Sequence, residues 1–294
     1  MTHVNIEKTL QIGGVRYRIS GEDGSWIDHL DSCYRAFVHE GAADGETVDV
    51  HIHMRREPMP VVESTDILFS NGTAWTMYRK EGQHIMVLTC PGQDTPFWTA
   101  KFGVDGIRVD VFINPEMNYH PFPPCSHPLD QMIIVLALAT RKGTLIHGTG
   151  LGLNGKGLVF AGKSGTGKST IARLFSELEG IIPLSDERVV VRELDGGLKV
   201  YGTPWPSDAG VAGPSRLPLS AIFFLHHGKD NRIERCDKAT SLERLLPVTS
   251  IPWYDRELIP HVMDFCGRII SETPCFDLYF RPDHDISKEI QTFV

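Results

Sequence analysis

Residues 158–171 read LVFAGKSGTGKSTI, and they decide the fold. Four apolar residues, Leu158, Val159, Phe160 and Ala161, run directly into Gly162-Lys163-Ser164-Gly165-Thr166-Gly167-Lys168-Ser169. That octet satisfies G-x-x-x-x-G-K-[ST], the loop that joins a covered strand to a helix and cradles phosphates. Its glycines let successive backbone N–H groups converge on an anion through backbone angles closed to other residues. The helix that follows contributes the positive end of its dipole. Lys168 is of a length to reach the β- and γ-phosphates of ATP, and the Ser169 hydroxyl suits Mg²⁺, with Thr170 next to it in the first helical turn. Downstream, Ile171, Ala172, Leu174, Phe175 and Leu178 form a helical stripe that ends at Gly180.

A phosphate loop does not say what happens to the phosphate, so the acidic residues come next. The run Ile181-Ile182-Pro183-Leu184 predicts a short strand, ending in Ser185-Asp186-Glu187-Arg188. In a parallel arrangement Asp186 emerges at the same sheet edge as the phosphate loop. There it can hold Mg²⁺ or take the proton of an attacking hydroxyl, and Glu187 can take the other role. His147 closes the predicted strand 144–147, one hairpin before the loop. It can orient an acidic base or sense phosphate charge, or it can be a satisfied polar group of the core. Arg188 and Arg216 are candidates to meet the transferring phosphoryl group.

The 294 residues leave room for one large domain or two medium ones. The formal net charge of −8 argues against a general nucleic-acid surface. The strongly apolar run 132–139 is far too short to span a bilayer. The first residues, MTHVNIEKTLQIGG, show no basic segment followed by an apolar one, so a cytoplasmic protein is expected. Cysteines stand at 33, 90, 125, 236, 266 and 275 with no C-x-x-C pair, which favours free thiols over disulfides or zinc.

Residues 1–115 differ in kind from the rest. Alternating runs at 14–19 and 48–54, and strand-like runs at 67–69, 74–78, 85–88 and 107–112, predict a mostly antiparallel, sheet-rich domain. Asn71-Gly72 and Glu81-Gly82 supply turns, and a helix is expected within 26–37. His51 and His53 share one strand face, as either metal ligands or part of the solvated face of the sheet. Trp26, Trp75 and Trp98 line a groove or simply enrich strands. A proline-rich bridge at 116–128 follows, and the phosphate-loop domain occupies 129–294. Within it a buried helix is expected at 129–140, an Asn154-Gly155 hairpin ahead of the phosphate loop, and a turn at Asp195-Gly196-Gly197. Residues 202–218 read as a long broken loop, 219–225 as a buried strand, 239–246 and 254–266 as helices, and 274–280 as a last strand before a frayed end.

Three segments together, His147-Gly148-Thr149-Gly150-Leu151, Gly162 to Ser169 and Leu184-Ser185-Asp186-Glu187-Arg188-Val189, resemble the C-terminal catalytic domain of the bacterial HPr kinase/phosphorylase family. They are most similar to its divergent HPr-kinase-like relatives beside peptide-modification genes. The resemblance covers about residues 130–280. It implies an α+β or α/β fold, a P-loop domain with a mixed sheet similar to the nucleotide-binding part of phosphoenolpyruvate carboxykinase. It also implies His147 as the active-site histidine, Lys168 as the phosphate lysine, Ser169 on the magnesium side, Asp186 as the base and Glu187 near the metal. Glu187 stands where the family typically has a second aspartate. A homo-oligomer is implied by the resemblance alone.

The expected activity is ATP- and Mg²⁺-dependent phosphoryl transfer to a serine or similar hydroxyl of a peptide, a protein or a small molecule. The alternatives are a nucleotide-gated binding protein without catalysis and a simple ATP hydrolase.

Overall fold

The computed structural model describes residues 6–21, 32–39, 47–72, 74–89, 92, 95–103, 106–114, 127–282 and 285–293. The chain forms a smaller sheet-rich region and a larger mixed α/β domain. One unit comprises Met1–Gln11 and Val15–Ala137, the other Ile12–Gly14 and Leu138–Val294.

The first unit holds an eight-stranded sheet built from β1 (Ile6–Ile12), β2 (Val15–Gly21), β3 (Val50–Arg55), β4 (Ile67–Ser70), β5 (Trp75–Lys80), β6 (Gln83–Thr89), β7 (Pro96–Phe102) and β8 (Arg108–Ile113). Their order is β1-β2-β3-β8-β7-β6-β5-β4. Strand β3 runs parallel to β2 and β8, and β4 to β8 are successive antiparallel partners. The two-residue period explains the faces. Tyr17, Ile19, Val50, Ile52, Met54, Val109 and Val111 are buried, and the residues between them are more exposed. Glu81 and Gly82 both take positive φ, 53° and 78°, and close the β5–β6 hairpin as the dipeptide predicts. Asn71 accepts the Ala74 and Trp75 amides and ends β4.

Of the helix expected within 26–37, residues 26–31 lie outside the described residues, and Ser32–Phe37 is a 3-10 turn. The His53 ring bonds sideways, its Nδ1 2.8 Å from Ser20 Oγ on the neighbouring strand. Burial, with Arg108 nearby, holds its pKa below the usual histidine value. Trp98 is fully buried, Trp75 packs tilted on Phe69, and Trp26 lies outside the described residues. So do residues 115–126, most of the proline-rich bridge.

Helix α1 (Leu129–Ala139) leads into the second unit, whose strands are β9 (Gly143–Leu153), β10 (Lys156–Ala161), β11 (Ile182–Ser185), β12 (Arg188–Leu194), β13 (Gly197–Tyr201), β14 (Arg216–His227), β15 (Arg232–Arg235) and β16 (Cys275–Phe280). The order is β10-β9-β12-β13-β14-β16-β15, with β11 on β9. Because β10 also pairs with β14, the strands β9, β10, β14, β13 and β12 close into a ring. The β10–β14 and β14–β16 pairs are parallel, the other pairs antiparallel. Positive φ at Asn154 and Gly155, and at Asp195 and Gly196, closes the two expected hairpins.

Alternate residues of the central strands feed two cores. Leu158, Phe160, Phe223, Phe276 and Leu278 pack with Ile171 and Phe175 of α2 (Lys168–Ser176) and with Ile286 and Ile290 of α5 (Asp285–Phe293). Phe160, Phe223 and Phe276 stack in a row at 5.1 and 5.4 Å between centroids. Opposite, Val159, Ala161, Ile222 and Phe224 pack with Val189, Val191 and Val200. That core is closed by Leu245 of α3 (Lys238–Leu245) and by Val262, Phe265 and Ile269 of α4 (Leu258–Glu272). Each buried Phe or Ile side chain contributes about 1.5–3 kcal/mol.

Several boundaries differ from expectation. The loop at 202–218 stops at residue 215, where β14 begins, and 202–205 are buried. Pro218 sits inside a strand opposite Lys199, which the sequence disguises as loop. The helix expected at 254–266 runs from Leu258 to Glu272. The C-terminal residues expected to fray form α5, because Ile286 and Ile290, spaced i and i+4, are both fully buried. Among the described cysteines, the Cys236, Cys266 and Cys275 thiols are pushed up to about 11, chiefly by burial. Cys90 and Cys125 lie outside the described residues.

Candidate functional site

The sheet topology gathers the site. Strands β10 and β11 both run antiparallel to β9, so the two end at the same edge, on either side of it. Gly162 follows β10 there and Asp186 follows β11. His147 lies on β9 at that edge and faces Arg188 of β12 in register. The Gly162 amide bonds the His147 carbonyl at 3.3 Å, and the Gly148 amide bonds the Glu187 carbonyl at 3.0 Å. Phosphate loop, histidine and acidic turn are thus tied together by backbone.

The loop itself is built for close backbone approach. Gly165 and Gly167 have φ of 82° and 100°, a region L side chains rarely adopt. A Cβ on Gly167 would come within 2.5 Å of the Phe280 ring. The Lys163 carbonyl accepts from the Thr166 amide, the Thr166 hydroxyl and the Lys168 ammonium, at 3.3, 2.8 and 3.1 Å. Lys168 is only 6% exposed. Burial lowers its pKa, and the charge of Glu187 works against that shift. His227, at the end of β14, places Nε2 2.8 Å from the Gly165 carbonyl and holds the tip of the loop.

Part of this loop lines a polar cavity of about 360 Å³. Ser164, Gly165, Gly167, Lys168, Ser169 and Thr170 line it together with His147, Glu187, Arg173, Ser207 and Asp208. His147 Nε2 lies 3.3 Å from Glu187 Oε1. That hydrogen bond is the largest cause of the lowered Glu187 pKa, and Arg188 and Lys168 add to it. Arg173 of α2 donates to the Asp208 carbonyl at 3.0 Å.

Asp186 stands apart from its neighbour. It is fully buried and is not among the residues that line the cavity. Its Oδ1 accepts the Ser207 amide and its Oδ2 the Ala209 amide, each at 2.8 Å. The two arginines named from the sequence lie outside the cavity lining as well. Arg188 is 3.4 Å from the Ser250 hydroxyl with its pKa lowered by burial, and Arg216 is exposed at the start of β14. Arg173, Ser207, Asp208 and His227 were not legible as site residues, because their contacts join segments far apart in sequence.

The residues present suit Mg²⁺ in kind. Ser169 and Glu187 bring hard oxygen donors to one cavity, and this ion is commonly held by one or two carboxylates together with substrate phosphates. Among the described residues no cluster of three or more His, Cys, Asp and Glu is placed to bind a metal without such help.

No protein-family model matches the chain, and no curated protein matches it. Among the described residues no helix is long and apolar enough to cross a membrane.

Proposed function

We propose that the second unit is an ATP-dependent phosphotransferase of the HPr-kinase-like type, with a nucleotide-binding fold akin to that of phosphoenolpyruvate carboxykinase. It acts on a serine or comparable hydroxyl. The observation that carries this reading is the meeting of Lys168, Ser169 and the Glu187–His147 pair in one cavity on a glycine-built phosphate loop. A loop that only bound nucleotide would need no carboxylate–histidine pair beside it.

The loop amides and the Lys168 ammonium hold the phosphates of ATP and offset their charge. Ser169 would offer an oxygen to Mg²⁺ alongside the ATP phosphates, and the charge of the ion would further offset theirs. The acceptor oxygen bonds the γ-phosphorus as the bridge to the β-phosphate breaks. The hydroxyl proton passes to the Glu187 carboxylate, and ADP departs with the bridging oxygen. His147 orients Glu187 and keeps it charged for that step. Positioning supplies most of the rate, since phosphoryl transfer asks for little covalent help.

Calorimetric titration of ATP into the full chain tests the first half of the reading. Binding that is lost on Lys168→Ala supports it, and equal binding by both proteins contradicts it.

A further inference from the structure

Asp186 and Glu187 are adjacent and differently employed. Glu187 faces the phosphate cavity, whereas Asp186 is fully buried with one backbone amide on each carboxylate oxygen. The segment so held is a cavity wall, because Ser207 and Asp208 line the cavity. The rest of the segment is stitched to β11 and its end. The Asp186 amide bonds the Val211 carbonyl at 3.3 Å, and the Gly213 amide bonds the Leu184 carbonyl at 2.9 Å. On the cavity side, Arg173 of the phosphate-loop helix takes the Asp208 carbonyl.

To take a proton from an acceptor, Asp186 would have to turn out of both bonds. That breaks both part-buried, charge-assisted bonds, to the Ser207 and Ala209 amides, and frees the segment they hold. Glu187, one methylene longer, already faces the cavity and needs no such movement.

We propose that Asp186 is a positioning residue whose carboxylate pins the 207–209 segment as a wall of the phosphate cavity, and that Glu187 is the carboxylate that handles the proton. The kinetic consequence rests on the phosphotransferase reading; the pinning does not.

The test uses the full chain in four forms, wild type, Asp186→Asn, Ala209→Pro and Glu187→Gln, with Mg–ATP as the probe. Asparagine can accept only one of the two amides, and proline removes the Ala209 donor while leaving Asp186 intact. Amide exchange of the peptide spanning 203–212 is expected to rise about tenfold or more in Asp186→Asn and Ala209→Pro, and to stay at the wild-type level in Glu187→Gln. For turnover of γ-labelled Mg–ATP, both loop variants are expected to raise KM roughly tenfold with kcat reduced by less than that. Glu187→Gln should lower kcat by about a hundredfold or more at little change in KM.

The proposal is overturned if Asp186→Asn loses about a hundredfold in kcat while its loop exchanges like wild type. It is equally overturned if Ala209→Pro leaves both exchange and KM unchanged. Should Asp186→Asn not fold, Ala209→Pro decides alone. If the wild type turns over no Mg–ATP at all, the phosphotransferase reading falls, while the exchange comparison still decides the pinning.

Discussion

His147 Nε2 lies 3.3 Å from Glu187 Oε1, across the antiparallel register that sets His147 opposite Arg188. The pair ties a residue of β9 to one that follows β11, and it does so at the mouth of the phosphate loop. Its electrostatic effect is directional. The hydrogen bond from His147 comes first among the causes that hold the Glu187 carboxyl below the usual carboxylate range, against the opposing effect of burial.

The sign of the resulting pH dependence follows. A depressed carboxylate stays ionised as pH falls through the ordinary carboxylate range, and it loses its charge only below that range. Turnover should therefore persist into mild acid, and its acidic limb should move to higher pH in His147→Ala. Glu187→Gln should cost about 10²–10⁴ in kcat, the usual worth of a positioned general base. A pH–rate profile of the three proteins checks both expectations. The stabilising contribution of the pair is present above the unfolded carboxylate value and fades as pH falls through the depressed one.

Lys168 is buried and shares the Lys163 carbonyl with Thr166. Replacing it by alanine removes the cation that, on the proposed reading, meets the phosphates. Charge-assisted hydrogen bonds of this kind contribute about 1.5–3 kcal/mol, so ATP affinity should fall by roughly ten- to a hundredfold. Titration calorimetry measures the loss, and an unchanged circular dichroism spectrum shows that the fold persists.

Gly167 has φ of 100°, and a Cβ there would meet the Phe280 ring at 2.5 Å. Phe280 is itself buried and has little room to yield. Gly167→Ala should destabilise the second unit by about 1–3 kcal/mol through backbone strain and overpacking, and it should weaken ATP binding as well. Denaturant unfolding checks the first effect. Gly180, with positive φ but nothing near its Cβ, provides a milder comparison.

His227 holds the Gly165 carbonyl from the end of β14. Its removal should leave the core intact and loosen the tip of the phosphate loop. His227→Ala is expected to weaken ATP binding about three- to tenfold, in line with one hydrogen bond of about 0.5–1.5 kcal/mol. Binding measured by fluorescence titration reads this change.

What the sequence made legible was local. The phosphate loop, the Asn154-Gly155 and Asp195-Gly196 turns and the apolar strands 158–161 and 219–225 carry their structure in neighbouring residues. The placement of Asp186 near the loop followed from strand order, and β9 between β10 and β11 brings the two ends to one edge. The engagement of the Asp186 carboxylate was not legible, because it depends on amides 21 and 23 residues further on. The Arg173 contact spans 35 residues and the His227 contact 62, with no periodicity to announce either. Strand β15 was missed because four residues, three of them charged, look like a turn until β16 pairs with them. Helix α5 was misread as a fraying end although Ile286 and Ile290 already marked an apolar stripe.

The most direct measurement of the central claim is transfer of label from γ-labelled ATP, with Mg²⁺, in a cell lysate, using wild-type protein beside Lys168→Ala. The phosphotransferase reading predicts a discrete labelled acceptor with wild type and none with the variant. Tight ATP binding by the wild type with neither labelled acceptor nor free phosphate would contradict it.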